Sequence, residues 1–378
     1  MTLWDDLVGQ PEAVATLSRA ATGDGMTHAW LLTGPPGSGR STAAKAFAAA
    51  LQCPDAGCGE CHECRTALSG AHADVTLVAT EHVHLRAEDV RPLVALAQQR
   101  PSAGRWRVVV VEDADRLNDT SGNLLLKAIE EPPARTVWLL CAPGPDDVLV
   151  TIRSRCRQVG LRVPPVRAVA ELLERRDGID PATAAFAARA SGSHVGVALR
   201  LARDEDARTR RREVLRLPGS LRGAGGAVLA AGQLVEVAQQ EARAATEERN
   251  AQERDELLAA LGAQGLRTLP PAVRSQVRKL EENQKRRATR AQRDVLDRSL
   301  TDLLSLFRDV LVVQLGAGVE LTNAEMADEI ERLAAGSPPE GTLHRMDAIA
   351  QARSRVAANV APLLALEALM VQLCPTGR

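Results

Sequence analysis

Short apolar runs alternate with amphipathic segments in the N-terminal part of the chain. Apolar runs bounded by polar or glycine-containing turns predict buried strands, and apolar positions at helical spacing predict the helices between them. The predicted strands lie at 28–33, 75–79, 106–111 and 136–141, with a last strand ending near Leu161. The predicted helices lie at 11–21, 42–52, 87–99 and 120–131. This alternation predicts an α/β domain with a mostly parallel sheet.

The pattern becomes entirely helical after this region. Val163-Pro164-Pro165 predicts a hinge, and the segments that follow have no strand pattern. Short helices are predicted at 166–175, 181–190 and 195–202, helix breaks at 217–219 and 223–226, and further helices at 301–315, 323–334 and 343–373. Two long, highly charged helical patterns, at 233–261 and 271–313, are interrupted at 262–271 and predict an exposed helical hairpin held by i,i+4 ion pairs. We therefore expect three domains, at 1–162, 163–205 and 206–378, with the charged hairpin near 233–300.

Composition narrows the class of protein without naming its chemistry. Hydrophobic residues make up 45% of the chain and charged residues 25%, which is typical of a soluble globular protein. We expect a cytoplasmic protein with no membrane contact, because the sequence has neither a long apolar run nor an N-terminal signal-peptide pattern. The 47 basic and 48 acidic residues leave a net charge of −1, and aromatic residues are only 2%. Contact with nucleic acid would therefore depend on local patches or partner chains.

A glycine-rich turn between the first predicted strand and its helix has the pattern of a phosphate-binding P-loop. Residues 34–41 are Gly-Pro-Pro-Gly-Ser-Gly-Arg-Ser, with Arg40 where the pattern has lysine. Backbone N–H groups of such a turn converge on an anion at a helix N-terminus. The candidate binding residues are Gly34, Gly37, Ser38, Gly39, Arg40 and Ser41. The expected ligand is ATP with Mg²⁺, held weakly.

Two carboxylates, Glu112 and Asp113, follow the most apolar predicted strand. Ligands of open α/β sheets bind at the carboxyl ends of the strands, where this pair would lie. Such a Walker B pair holds Mg²⁺ and orients the attacking water. The usual order is Asp then Glu, so the reversed order predicts a poorly placed second carboxylate. Two solvated carboxylates at a strand end are the alternative interpretation.

Four cysteines, Cys53, Cys58, Cys61 and Cys64, lie within twelve residues. Four thiolates at this spacing can close a tetrahedral structural Zn²⁺ site, which leaves no position for a reacting water. Four free cysteines in a loop are the alternative interpretation.

Several of these features together resemble the bacterial clamp-loader family of AAA+ proteins. The resemblance covers residues 1–205 most strongly. It rests on Trp-Asp-Asp-Leu-Val-Gly-Gln at 4–10, the P-loop, the inserted cysteines, Leu-Leu-Lys-Ala-Ile-Glu-Glu-Pro-Pro at 125–133, and Ser-Arg-Cys at 154–156. It implies a P-loop AAA+ domain followed by a small all-α lid domain and an all-α collar domain.

The resemblance also implies roles for individual residues. The four cysteines fall on the family's zinc ligands, and Arg155 falls on an arginine finger that reaches the ATP site of a neighbouring subunit. A guanidinium supplied in this way neutralises charge on the transferred phosphoryl group. A surface arginine in a salt bridge is the alternative interpretation of Arg155; it would be favoured without the flanking motif, and the motif favours the finger.

Four features depart from the hydrolytic pattern that the family implies. Besides Arg40 and the reversed carboxylates, Ala142-Pro143 and Val195 stand where polar and arginine sensors would be. We therefore expect little or no ATPase activity from this chain itself. The resemblance implies a component of the DNA polymerase III holoenzyme that helps an ATP-driven hetero-oligomeric ring load the sliding clamp on primed DNA. Its expected partners are motor subunits and a delta-type subunit.

Two further hypotheses remain open from the sequence. The chain could be an autonomous ATPase of the motor-subunit type, because a cation and two carboxylates are still present around the P-loop. It could also be a zinc-containing nucleic-acid-binding module, although the near-neutral charge and scarce aromatic residues speak against this. Separately, the basic segment 208–212 is either a solvated helix start or a phosphate-contacting patch, and 285–290 of the hairpin could contact DNA.

Overall fold

The computed structural model describes residues 2–80, 85–266 and 269–374. The chain divides into two compact units, Met1–Arg203 and Asp204–Arg378. Residues 267 and 268, within the interruption predicted at 262–271, lie outside the described residues. None of the helices in the described ranges has the length and apolar character needed to cross a membrane.

The first unit is built on a five-stranded parallel sheet. Its strands are β1 (Ala29–Thr33), β2 (Val75–Val78), β3 (Arg107–Val111), β4 (Thr136–Ala142) and β5 (Arg157–Gly160). The strand order is β2-β3-β4-β1-β5, and every pairing is parallel. All residues of β1, β3 and β4 are buried, as expected for central strands covered on both faces. The predicted α/β domain with a parallel sheet is thus confirmed.

Helices cover both faces of this sheet. They are α1 (Pro11–Ala21), α2 (Arg40–Gln52), α3 (His62–Ser69), α4 (Ala87–Ala97), α5 (Asp119–Glu130) and α6 (Val150–Arg153). α2 is buried along most of its length, and alanine supplies most of its buried positions. These small side chains allow the helix to approach the sheet, where Phe47 meets Trp30 edge to face with ring centroids 5.1 Å apart. The packing fixes the helix that begins at the P-loop.

Three further helices complete the first unit. They are α7 (Val166–Asp177), α8 (Pro181–Ala190) and α9 (Val195–Arg203). α7 ends at Gly178, whose φ of 67° suits a left-handed C-cap, and Asp180 caps α8 by accepting a hydrogen bond from Thr183 N at 2.9 Å. Leu173 of α7 and Ala187 of α8 are buried, and α8 packs against both α7 and α9.

The second unit is all-α in its described residues. Its helices are α10 (Glu205–Ser220), α11 (Gly223–Ala260), α12 (Pro271–Gln314), α13 (Ala327–Ala335), α14 (Pro339–Ala357) and α15 (Pro362–Leu373). Its main core contains Leu300, Leu303, Phe307, Ile349 and Leu366. α11 and α12 contain 38 and 44 residues, which corresponds to about 57 and 66 Å of helix. They form the expected hairpin.

Several helix boundaries in this unit differ from the prediction. α10 continues through Pro218, a buried residue in its last turn, and residues 223–226 begin α11 instead of breaking a helix. Residues 301–315 belong mostly to α12 and form no separate helix. The predicted helix 343–373 is two helices that are separated near Asn359, a residue with φ of 66°. Tertiary packing outweighs the local Pro and Gly signals at the first sites, and a left-handed residue interrupts the last one.

Candidate functional site

The P-loop lies between β1 and α2, and neighbouring backbone atoms approach two of its glycines closely. A Cβ added at Gly34 would lie 2.5 Å from the carbonyl oxygen of Leu161, and one added at Gly37 would lie 2.9 Å from the Cα of His194. Gly37 also has a φ of 88°, which disfavours other residues. Gly39, with the same φ, is the N-cap of α2. The predicted residues 34–41 thus form one turn at a helix N-terminus.

Two side chains of this turn bear on its capacity to hold an anion. The Ser38 hydroxyl is buried and has no hydrogen-bond partner within the described residues. A buried hydroxyl without a partner carries a desolvation cost that a ligand in the loop would relieve. Arg40 Nη1, by contrast, donates to the carbonyl oxygen of Gly34 at 2.5 Å, so this cation contacts the loop's own backbone. The loop therefore fits a phosphate group, but its cation is already engaged.

Both predicted Walker B carboxylates lie at the end of β3, and both have partners. Glu112 Oε1 forms an ion pair with Lys45 Nζ at 2.9 Å. Asp113 Oδ2 accepts a hydrogen bond from Thr80 N at 3.0 Å, and its other oxygen lies 3.7 Å from Arg116 Nε. These contacts occupy part of the acceptor capacity of the two carboxylates, which a magnesium ion or a catalytic water would have to share.

The Walker B carboxylates also affect the pKa values of two nearby residues that the sequence patterns did not identify. Burial, assisted by the charge of Asp113, raises the pKa of Asp115. Burial likewise raises the pKa of Cys141 to about 12, with Glu112 adding to the effect, so this thiol is neutral and unreactive near neutral pH. Cys141 therefore provides no nucleophile for phosphoryl transfer.

The positions expected to carry sensors offer no polar groups to a bound phosphate. Ala142 ends β4, and Pro143 uses its carbonyl oxygen to accept a hydrogen bond from Gly34 N at 3.1 Å. At the start of α9, Val195 stands next to His194, the residue that packs on Gly37. His194 is itself half-buried against the P-loop.

The four predicted cysteines come together in one cluster. Their sulfur atoms all lie within 4.8 Å of one another. Individual Sγ–Sγ distances are 3.6 Å for Cys53–Cys58, 3.9 Å for Cys58–Cys64 and 3.8 Å for Cys53–Cys61. A tetrahedral ion with metal–sulfur bonds of about 2.3 Å would give sulfur–sulfur distances of about 3.8 Å. The cluster is therefore suited to a metal ion.

Local structure positions these thiols and sets their protonation. Cys61 is the N-cap of α3, a helix that was not predicted, and its Sγ accepts a hydrogen bond from Cys64 N. Burial raises the pKa of Cys64; at Cys53 burial is outweighed by N–H donors from Cys58 and Gly57, which lower the pKa to about 7. Metal binding would therefore release protons from the cluster.

Arg155 follows α6 and is partly exposed, with 41% of its side chain accessible. Its Nη2 lies 2.6 Å from Glu130 Oε1, and its Nη1 donates to the Thr151 carbonyl oxygen at 2.9 Å and to Ser154 Oγ at 3.2 Å. Within the described residues, none of its polar contacts is to the P-loop of its own chain. Glu130 was not predicted as a partner, although it belongs to the 125–133 motif.

Comparison with known proteins extends this picture. The family described as "DNA polymerase III, delta subunit" matches residues 9–165, and "DNA polymerase III, delta subunit, C terminal" matches residues 250–374. DNA polymerase III subunit delta' of Pseudomonas aeruginosa is 39% identical over 163 residues, which are 42% of this chain and 50% of that protein. DNA polymerase III subunit gamma/tau of Mycobacterium tuberculosis is 34% identical over 175 residues, 45% of this chain and 30% of that protein.

The chain thus spans half or less of the curated relatives that it matches here. A solved DNA polymerase III gamma subunit-related protein of Thermotoga maritima covers 95% of this chain and 97% of its own, with 14% identity and a TM-score of 0.41. That likeness is too weak to support an argument about either unit. The family matches fall on the P-loop unit and on the helical unit, and they confirm the resemblance seen in the motifs. The chain belongs to the DNA polymerase III delta-subunit family.

Proposed function

We propose that this chain is a clamp-loader subunit that contributes an arginine finger to a neighbour and has little or no ATPase activity of its own. The observation that carries the proposal is the contrast between two sites of the first unit. Around the P-loop, the cation and both carboxylates are engaged within the chain. Arg155, in contrast, is partly exposed and has no contact with that loop within the described residues. A guanidinium placed in this way is suited to act on a nucleotide outside its own chain.

The proposed cofactors follow from the same geometry. Cys53, Cys58, Cys61 and Cys64 would hold a structural Zn²⁺, which stabilises the loop between α2 and α3. The N–H groups of the P-loop, with the Ser38 hydroxyl, would hold the phosphates of a nucleotide. ATP with Mg²⁺ would bind weakly, because the lysine that usually contacts the phosphates is replaced by an arginine that contacts Gly34.

The proposed partners are the motor subunits and a delta-type subunit of a hetero-oligomeric ring. Through this ring the chain would act on the sliding clamp and on primed DNA. The helical second unit would form the collar contacts, because large apolar side chains are exposed on several of its helices, among them Leu229, Leu343 and Leu364. In the three-domain division that we propose, residues 163–205 form the lid, although the first compact unit continues to Arg203 and so includes all but the last two of them.

The finger can be tested by replacing Arg155 in a reconstituted complex with its motor subunits. The Arg155–Glu130 pair is exposed and contributes at most about 1 kcal/mol, so Arg155→Ala should leave folding and assembly unchanged. The nucleotide site that receives the finger should lose about 10³-fold or more of its turnover. The measurement is ATP hydrolysis in a complex whose other sites are inactivated.

A matched control lies two residues earlier in the chain. Arg153 also pairs with a carboxylate, that of Asp146, and Arg153→Ala should retain the turnover of the unmodified complex. Equal turnover in the Arg155→Ala complex and the unmodified complex would refute the finger. Steady hydrolysis by the isolated chain that is abolished by Asp113→Asn would instead favour the motor-type ATPase.

A further inference from the structure

The hairpin of α11 and α12 separates its charges between its two helices. Residues 241–260 of α11 contain six acidic and three basic side chains, whereas residues 271–293 of α12 contain eight basic and two acidic ones. The whole chain is almost neutral, so this is a strong local asymmetry. A single-sign stripe on a long helix creates a directional field at its surface.

Part of this basic charge is used within the hairpin. Arg287 forms two hydrogen bonds of 2.9 Å with the carboxylate of Glu253, and Arg298 pairs with Glu241 at 2.9 Å. These arginines face α11 and stabilise the contact between the helices. They leave the outward side of α12 to other residues.

The outward side carries exposed cations without such partners. Val273 and Val277 are buried towards α11, and helical spacing places the opposite side of α12 in solvent. Five cations in this stretch are exposed: Arg274, Arg278, Lys279, Lys285 and Arg286. Of these, only Arg278 forms an ion pair within the described residues, with Glu282 at 3.4 Å. Glu281, the other acidic residue here, is neutralised by Arg254 at 2.9 Å.

This outward basic face, residues 274–286 of α12, is suited to a polyanion more than to a folded protein. The large exposed apolar side chains of the described residues include none from 269 to 312, so the face lacks the apolar anchors of a protein interface. The face is about 18 Å long, a length over which the two strands of a duplex together carry about ten phosphates. Residues 223–300 contain no aromatic side chain on which single-stranded bases could stack.

We propose that the outward basic face of α12 binds the phosphate backbone of duplex DNA without reading its sequence. The lysine and arginine side chains along this face would neutralise phosphates and release counterions, which gives affinity and register but no base specificity. The proposal is independent of the role of Arg155, because it concerns the second unit and can be measured on the isolated chain.

The test uses the full chain and a fluorescein-labelled duplex of about 30 base pairs, followed by anisotropy between about 50 and 200 mM KCl. The variant Lys279→Gln/Lys285→Gln/Arg286→Gln removes three cations from the face. It should make the slope of log K against log salt less steep by about 3, and it should weaken binding by at least about tenfold near 0.1 M salt. A second duplex of unrelated sequence should bind equally well.

The control variant removes the same charge from exposed positions outside the hairpin, through Arg19→Gln, Arg91→Gln and Arg216→Gln. It should retain the affinity and slope of the unmodified chain, and circular dichroism should show equal helix content in all three proteins. Equal weakening by both variants, or absence of salt-dependent duplex binding by the unmodified chain, would overturn the proposal. Binding of polyglutamate in preference to the duplex would also overturn the proposal, and it would indicate an acidic protein as the partner of this face.

Discussion

Replacement of Asp74 should selectively destabilise the P-loop unit. Asp74 precedes β2, is fully buried, and accepts hydrogen bonds from Ser102 N at 2.8 Å, Ala103 N at 2.7 Å and Gly104 N at 2.5 Å. It also pairs at 2.9 Å with Arg107, which begins β3 and is itself buried. This carboxylate therefore fixes the loop that leads into the strand carrying Glu112 and Asp113.

The magnitude follows from the protonation of this group. Burial alone would raise the pKa of Asp74, but the amide N–H groups of Gly104, Ser102 and Ala103 lower it from 3.8 to about 2. A shift of this size corresponds to about 2 kcal/mol of stability. Because the folded-state pKa is the lower one, this stability is present above pH 4 and is lost as pH falls towards 2. Asp74→Asn also leaves Arg107 without its charge partner, so we expect a total cost of about 3 kcal/mol at pH 7.

Urea unfolding followed by tryptophan fluorescence reports the stability of the first unit, which contains Asp74. All four tryptophans, at positions 4, 30, 106 and 138, lie in the first unit. The free energy of unfolding of Asp74→Asn should lie below that of the unmodified chain, and this difference should be smaller by about 1 kcal/mol at pH 3 than at pH 7. The exposed control Asp24→Asn should stay within about 0.5 kcal/mol of the unmodified chain. A cost below about 1 kcal/mol at pH 7, or a deficit that does not change with pH, would refute this reasoning.

Two further predictions concern the candidate ligands. Elemental analysis of the purified chain should find one zinc ion, which Cys58→Ser should lose and which Cys374→Ser, at a cysteine outside the cluster, should retain. Equal zinc content in the two variants would contradict the four-sulfur site. Arg40→Lys should tighten ATP binding about tenfold or more in titration calorimetry. The reason is that an ammonium group without a bond to the Gly34 carbonyl oxygen can form a charge-assisted hydrogen bond to phosphate. Unchanged or weaker affinity would contradict the view that Arg40 limits binding.

Much of the first unit was predictable because its signals are local. Apolar runs and glycine turns located all five strands within a few residues, and motif spacing identified the P-loop and the cysteine cluster. α3 was not predicted, since its short amphipathic pattern overlaps the cysteines and its N-cap is a thiol. In the second unit, local Pro and Gly signals gave wrong boundaries where packing of the long helices outweighed them.

The sequence by itself determined the P-loop class, the four-sulfur cluster and the candidate finger, because each depends on residue types at fixed short spacing. Only the tertiary structure decided which charges are engaged. Lys45 with Glu112, Arg155 with Glu130, and Asp74 with Arg107 are each separated by more than twenty residues along the chain. The pairs of Glu112 and of Arg107 form because parallel strands bring distant segments together at the two ends of the sheet, whereas Arg155 meets Glu130 because α6 packs against α5. No local pattern encodes either proximity.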